Sequence, residues 1–370
     1  MTSSVHTALT VPPADNRHWD CLALGEVMLR FDPGEERIRS TRHFRVWEGG
    51  GEYNVARGLR KTFGHTTAVL TALPRNDLGL LAEELILQGG VDTSHIVWRD
   101  HDGVGRNTRM GLNFTERGFG VRSALGLSDR ANSAAAQIRP EEFDWDTLFG
   151  EGGTRWLHTG GIFAALSETT ARATEAAVQA ARRHGAIVSY DLNYRASLWN
   201  SHPDPDAARK ANQAIVAQCD LLIGDEFSFA SCLELETGSN PRATPMDSGP
   251  ADAACARAFE QYPNLGMIAF PLRDSRSASR NAWAGVLHTR ESRLESSLPI
   301  ELDILDRVGG GDAFVSGLIH GLLGDYELQQ ALDFAVAHGA LAMTTPGDNA
   351  VVSQTEVEAV ARGETAAARR

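Results

Sequence analysis

Short apolar runs rich in Val, Ile and Leu alternate along this chain with Ala-rich segments of helical period, and that alternation most limits its fold. Strands and helices in repeated succession bury their apolar faces when the strands run mostly parallel with helices on both sides. "CLALGEVMLRF" and "TTAVLTAL" read as strands flanking the helix of "YNVARGLRKTFG", where Val55, Leu59 and Phe63 recur every four residues. "RWLHTGGIFAAL" reads as strand and loop, and a helix through "ETTARATEAAVQAARRHG" stops at Gly185. "AIVSYDLN", "CDLLIGDE", "MIAFPLR" and "AWAGVLH" supply further strands, and "DAFVSGLIHGLL" and "LQQALDFAVAHGALAMTT" a final helical pair. The expected fold class is α/β, a doubly wound, mostly parallel sheet flanked by helices.

Two stretches break the pattern, at about 29–48 and 96–130. They read as short twisted strands with Gly turns, so they are expected to fold together into a small β-sheet lid over one end of the main sheet. Residues 1–18 are polar and carry "VPP", which reads as a mobile arm, and 363–370 read as a frayed tail. Between them no long linker appears, so 19–362 is expected to be a single domain with its lid.

The formal net charge of −13 argues against a general nucleic-acid or anionic-membrane binder. Lys61 and Lys210 are the only lysines and neither follows a glycine, which excludes a Gly-Lys-Ser/Thr phosphate loop. Cys21, Cys219, Cys232 and Cys255 form no C-x-x-C pair and read as buried reduced thiols. The start lacks a secretory signal, and no apolar run approaches a membrane span, so a cytoplasmic location is expected. His158, His320 and His338 lie in apolar surroundings and read as hydrogen-bonded structural groups, with no zinc spacing among the histidines.

Three stretches could carry chemistry. In "DRVGGGDAFVSG", Gly309, Gly310 and Gly311 stand where a helix begins, so their backbone can approach an oxyanion closely. Asp312 could then take a proton from an attacking hydroxyl. On its own this stretch equally describes a glycine turn with Asp312 as N-cap. "EGGGEYNVARG" is a second glycine cluster before a helix, where Glu52 or Asn54 could contact hydroxyls. "VSYDLNYRASLW" places Asp191, Asn193 and Arg195 beyond the carboxyl end of a strand, where ligands bind in open parallel sheets. Arg195 could hold a carboxylate or phosphate, or form a structural salt bridge.

Together, "GGGEYNVARGLRKTFG" and "DRVGGGDAF", about 260 residues apart, resemble the paired motifs of the ribokinase, or PfkB, family of carbohydrate kinases. "GEVMLRFDP" and "VSYDLNYRASLW" look most like its 2-keto-3-deoxygluconate kinase branch. The resemblance implies a ribokinase-like core with a β lid and transfer of the γ-phosphate of ATP, with Mg2+, to a primary hydroxyl of a sugar acid. It makes Asp312 the base and Gly309, Gly310 and Gly311 the anion hole. Gly50, Gly51 and Asn54 would line the sugar pocket, Arg195 would meet the carboxylate, and Arg109 and Arg130 would offer charge from the lid. The nucleotide would lie against Arg273 and Ser275, with its base beside Ala335, His338, Gly339 and Asn349.

Where the family often shows Asn-x-x-Glu, this chain has Asp225 and Ser228, which leaves Asp225 toward the nucleotide and Glu226 toward Mg2+. Ser128 stands in place of a lid tyrosine and Asn113 in place of an aromatic, so the sugar could differ from 2-keto-3-deoxygluconate. A fructokinase, another keto-deoxy-sugar kinase, or a non-catalytic sugar sensor on the same fold are the alternatives. A monovalent cation requirement stays open. The partners implied are a small sugar acid and ATP, with no nucleic acid or membrane, and a homodimer or higher homo-oligomer through lid residues such as Phe114 and Phe119.

Overall fold

A computed structural model describes residues 9–200, 202–235, 246, 249–297 and 299–364. β1 (Trp19–Leu24) lies in the main sheet, whereas β2 (Met28–Asp32) and β3 (Arg45–Gly49) lie in a smaller one. α1 (Gly51–Phe63), β4 (Thr67–Pro74), α2 (Asp77–Gln88) and β5 (Ile96–Arg99) return the chain to the main sheet, and β6 (Leu112–Glu116) and β7 (Leu125–Asp129) complete the small one. Next come α3 (Trp145–Phe149), β8 (Thr154–Gly160), α4 (Gly161–Ala164), α5 (Glu168–Arg183) and β9 (Ile187–Asp191). α6 (Ala196–Trp199), α7 (Ala207–Val216), β10 (Leu221–Ile223), α8 (Glu226–Leu233) and α9 (Gly249–Gln261) lead to β11 (Met267–Ser275). The chain finishes with β12 (Arg280–Thr289), β13 (Arg293–Glu295), β14 (Ile300–Asp303), α10 (Gly310–Leu323), α11 (Leu328–Ala342) and α12 (Gln354–Ala361).

The main sheet has the order β13-β12-β11-β10-β9-β8-β1-β4-β5, with β14 also on β12. Neighbours from β11 to β5 pair in parallel, and β12 reverses direction. The chain runs outward from β1 through β4 on one side and through β8 on the other. The strand order therefore switches between β1 and β8, and a crevice is expected beyond their carboxyl ends. Helices cover both faces. Along β1, Leu22 and Leu24 join the core that contains Ala173, Ala177 and Val178 of α5, while Cys21 joins the one that contains Phe314 and Leu318 of α10. α10 is buried from Ala313 to Leu323, and Gly317 and Gly321 let it approach the α11 backbone where any Cβ would collide with Phe334 to Ala335 or with Ala331.

The small sheet has the order β3-β2-β6-β7. Three expectations are corrected here. "CLALGEVMLRF" is two strands in two sheets, because Gly25 must pass the Glu52 side chain too closely for a Cβ and the chain changes direction there. The lid stretch does not begin at 96: β5 pairs in parallel with β4, Thr71 opposite Ile96, because Ile96 joins the core beneath the main sheet. Within the expected arm, Leu9 and Val11 pack against the α10 core and the Pro12 carbonyl accepts from Arg155 Nε at 2.8 Å, while residues 13–16 are exposed. Residues 1–8 and 365–370 lie outside the described residues.

All four cysteines are free and buried, and burial pushes the thiols of Cys232 and Cys255 up to about 12. His158 and His338 are hydrogen-bonded within the core, to Ser189 at 2.9 Å and to Ser316 at 2.9 Å. Among the described residues no helix is long and apolar enough to cross a membrane.

Leu318→Ala should lower unfolding stability in urea by about 2–5 kcal/mol, since Leu318 is fully buried between α10 and its sheet face; a loss below about 1 kcal/mol would show that this face is loosely packed.

Candidate active site

A cavity of about 1210 Å³ lies beyond the carboxyl ends of the strands, roofed by the small sheet. Its sugar-sized end is lined by Met28, Asn113, Ser128 and Arg130 of the small sheet and its margin, by Gly50, Gly51 and Asn54 at the start of α1, and by Asp191, Asn193 and Arg195 after β9. Gly224 to Ser228, Arg273 and Arg307 to Asp312 continue it toward the other end.

The start of α10 is built on one turn. Gly309 is the N-cap with φ 79, and a Cβ there would overlap the Asp348 carbonyl, so glycine is required both for conformation and for space. The Ala313 amide donates to the Gly309 carbonyl at 2.8 Å, which leaves the amides of Gly310, Gly311 and Asp312 without carbonyl partners inside the helix. Gly311 lines the cavity, and nothing lies within 4 Å of a Cβ placed on it, so this turn of the backbone is open to a ligand. Asp312 is the third helical residue, not the N-cap that the stretch alone allowed. Its Oδ2 accepts from Asn54 Nδ2 at 2.6 Å, which joins the two glycine motifs directly. Gly50 packs on the Glu26 carbonyl where a side chain would overlap it, and this brings Asn54 into reach.

After β9 the chain turns at Asn193, whose φ of 33 suits an asparagine and whose amide donates to Asp191 Oδ1 at 3.0 Å. Arg195 then caps the short α6, and among the described residues its guanidinium has no ion-pair partner. Arg130 enters from the small sheet side and donates to Glu26 at 2.8 Å.

Carboxyl groups crowd the floor, and their environments push their pKa values apart. Burial pushes Asp312 up to about 6; the Asp348 charge adds to this, while the Asn54 hydrogen bond and Arg195 oppose it. Burial and the Asp312 charge push Asp191 up to about 7. Glu52, wedged at the strand switch against Gly25 and Gly160, is pushed by burial up to about 8, with Asp312 and Asp191 adding to it. Asp348 also rises to about 6 through burial, although Arg30 beside it favours its charge.

Of the residues singled out from sequence, Gly50, Gly51, Asn54, Arg130, Arg195, Asp225, Glu226, Arg273 and Gly309 to Asp312 line this one cavity. Six do not. Arg109 lies outside the strands, before β6, and its half-exposed side chain pairs with Asp129 at 3.3 Å. Ser275 is at the exposed end of β11. Ala335, His338 and Gly339 are buried on α11: Ala335 faces Gly317, His338 bonds to Ser316 and the Ala313 carbonyl, and Gly339 packs on Trp283. Asn349 donates to the Glu48 carbonyl at 3.1 Å, tying a loop to β3. Asp225 lines the cavity but also caps α8, accepting from the Ser228 amide at 2.7 Å. Arg307 and Asp348 were missed. Arg307 stands inside the quoted glycine motif and was legible there, whereas Asp348 reaches the site only through the packing of its loop on Gly309.

The pfkB family carbohydrate kinase pattern matches residues 20–248 and 286–355. A 2-dehydro-3-deoxygalactonokinase of Haloferax volcanii is 30% identical over 345 residues, 93% of this chain and 97% of that protein. A 5-dehydro-2-deoxygluconokinase of Clostridium perfringens is 23% identical over 88% of each chain. The crystal structure of 2-dehydro-3-deoxygluconokinase from Thermotoga maritima superposes with a TM-score of 0.84 at 33% identity, covering 94% of this chain and all of that one.

Glu52 carries a checkable consequence. Its folded pKa lies above the usual glutamate value, so the stability it lends is full at low pH and is lost as pH rises through about 8. Melting temperature should therefore fall from pH 6 to 9 more steeply in the native protein than in Glu52→Gln, whose side chain cannot ionise; parallel curves would show that Glu52 is already charged.

Proposed function

We propose that this chain, which belongs to the pfkB family of carbohydrate kinases, transfers the γ-phosphate of ATP to a primary hydroxyl of a sugar acid of the 2-keto-3-deoxy class. 2-Keto-3-deoxygluconate is the first candidate. The observation that carries this reading is the contact between Asn54 and Asp312 beside the open amides of α10, in a cavity with room for a sugar and a nucleotide together.

Asp312 is the base. Its pKa near 6 keeps it ionised at neutral pH yet basic enough to accept the proton of a hydroxyl as that oxygen attacks phosphorus. Asn54 fixes which carboxylate oxygen is held, leaving the other toward the acceptor. The amides at the start of α10 face the charge that grows on the transferred group, and the positive helix end adds to them. Arg195 meets the acid's carboxylate, and Arg130 and Asn54 border the same end.

The donor end fits a polyphosphate. Burial and the neighbouring Arg307 both disfavour the charge of Arg273, and among the described residues neither arginine has an ion-pair partner, so a polyanion between them offsets both. Glu226 and the carboxylate of Asp225 provide oxygen atoms of the kind Mg2+ prefers, directly or through water. Bound Mg2+ and ATP would supply the phosphoryl group and neutralise its charge; the protein's own contribution is the base, the amides and the arginines.

The relatives include proteins named as kinases of both a 3-deoxygluconate and a 3-deoxygalactonate derivative, which supports the keto-deoxy acid class and leaves the epimer to experiment. Ser128 and Asn113, hydrogen-bonded at 3.4 Å, give the sugar end a polar wall. The same proposal places the protein in the cytoplasm and pairs two copies through the small sheet, where Phe119, Val121, Leu125 and Leu127 are exposed; light scattering reads the mass. Phe114 instead stacks on Phe31 at 5.0 Å inside the sheet's own aromatic cluster.

An ATP-coupled screen across sugar acids and neutral ketoses tests the reading: ADP release should be fastest with a 2-keto-3-deoxy acid, and release with no sugar acid at all would refute it. Asp312→Asn should cut turnover by about a thousandfold with ADP binding nearly intact, and equal turnover would remove Asp312 from the base role. Arg195→Ala should raise KM for an acid substrate by roughly 10- to 100-fold, and far less for a neutral ketose.

A further inference from the structure

β2 carries a buried guanidinium that neither end of the cavity uses. Arg30 is 1% exposed and lies in the small sheet between Trp47 and Asn113. Its Nη2 donates to Asp306 Oδ2 at 2.6 Å, and its Nη1 to Asp348 Oδ1. Asp32 of the same strand is 3.8 Å away and is shared with Arg117 at 3.5 Å. Arg30 Nε has no hydrogen-bond partner among the described residues. Burying a cation this deeply costs stability, so the arrangement calls for an explanation other than stability.

The two acids it holds flank the start of α10. Asp306 stands three residues before Gly309, and accepts from the amides of Val308 at 3.2 Å and Gly347 at 3.3 Å. Asp348 presents the backbone carbonyl on which Gly309 packs. One guanidinium on the small sheet thus spans the loop that carries the glycine turn and the loop against which the turn rests.

We propose that Arg30 is a positioning residue for phosphoryl transfer. It is a fixed internal cation that draws Asp306 and Asp348 together, holds the Gly309 turn in register, and couples the seating of the small sheet over the cavity to the alignment of the α10 amides. This rests on the kinase reading above. The charged groups facing the cluster are Asp32 and Arg117 of the small sheet, Glu48 with Arg57 at its edge, Asp306 and Asp348 on the loops, and Asp312 beyond Asp348.

The test compares the native protein with Arg30→Met and the charge-balanced Arg30→Met/Asp348→Asn, reading melting temperature, ADP binding by calorimetry and the pH profile of kcat/KM. The double variant should melt close to the native protein, since a buried pair replaced by neutral groups is often tolerated. Its turnover should nevertheless fall by about 100-fold, the scale of a misplacement near one ångström, and its ADP binding by about tenfold. In Arg30→Met the acid limb of kcat/KM should move to higher pH, because removing a cation raises the pKa of the carboxyl groups behind it. A double variant that fails to fold makes Arg30 structural and overturns the proposal, as does one that folds and turns over within about threefold of native, well short of that loss. A native protein that releases no ADP with any sugar acid would instead refute the kinase reading itself.

Discussion

The site depends on one close approach, the Gly309 backbone against the carbonyl of Asp348. It places the first turn of α10 where its amides face open space, and it needs a residue with no side chain in a left-handed conformation. From that contact the rest is set in order. Asp312 falls on the third helical position, Asn54 reaches it across from α1, and Arg195 stands on the opposite wall after β9. The same turn leans, through Asp306 and Asp348, on the small sheet that roofs the cavity.

A second constraint is electrostatic. The crevice at the strand switch gathers Glu52, Asp191, Asp312 and Asp348 into a region poor in water, where the acids cannot all ionise at neutral pH. They separate by depth and partner. Glu52, deepest and without a cation in contact, keeps its proton, while Asp312, bonded to Asn54 and near Arg195, gives up its own most readily of the three that line up beneath the cavity. Asp348 stands at about the same value as Asp312, so the contact with Asn54 and the place on the first turn of α10, rather than the pKa alone, single out Asp312 as the proposed base.

How much of this was legible in the sequence differs by kind of feature. The alternation of apolar runs and helical segments gave the doubly wound sheet, because period and burial are local properties. "GGGEYNVA", "DLNYR" and "GGGD" marked the cavity walls only when taken together, because each alone also reads as a turn, a cap or a salt bridge. What failed depended on direction. α11 is apolar on nearly every side, so its pattern could not tell which face meets the cavity, and Ala335, His338 and Gly339 turned out to face the core. β5 looked like lid because it is short and polar at one end, yet its register with β4 places it in the main sheet. Arg30 stands inside the quoted "GEVMLRFDP", but its place was not legible there, since a single arginine in a strand acquires meaning only when two distant loops bring acids to it.

Phosphorus NMR of the purified protein with ATP, Mg2+ and 2-keto-3-deoxygluconate tests the central claim most directly, because it sees both the donor and the acceptor of the phosphoryl group. The account predicts a new phosphomonoester signal that grows in step with ADP and slows as pH falls below about 6, where Asp312 takes up its proton. Inorganic phosphate appearing in place of the ester, or γ-phosphate left intact across a panel of keto-deoxy acids, would contradict it.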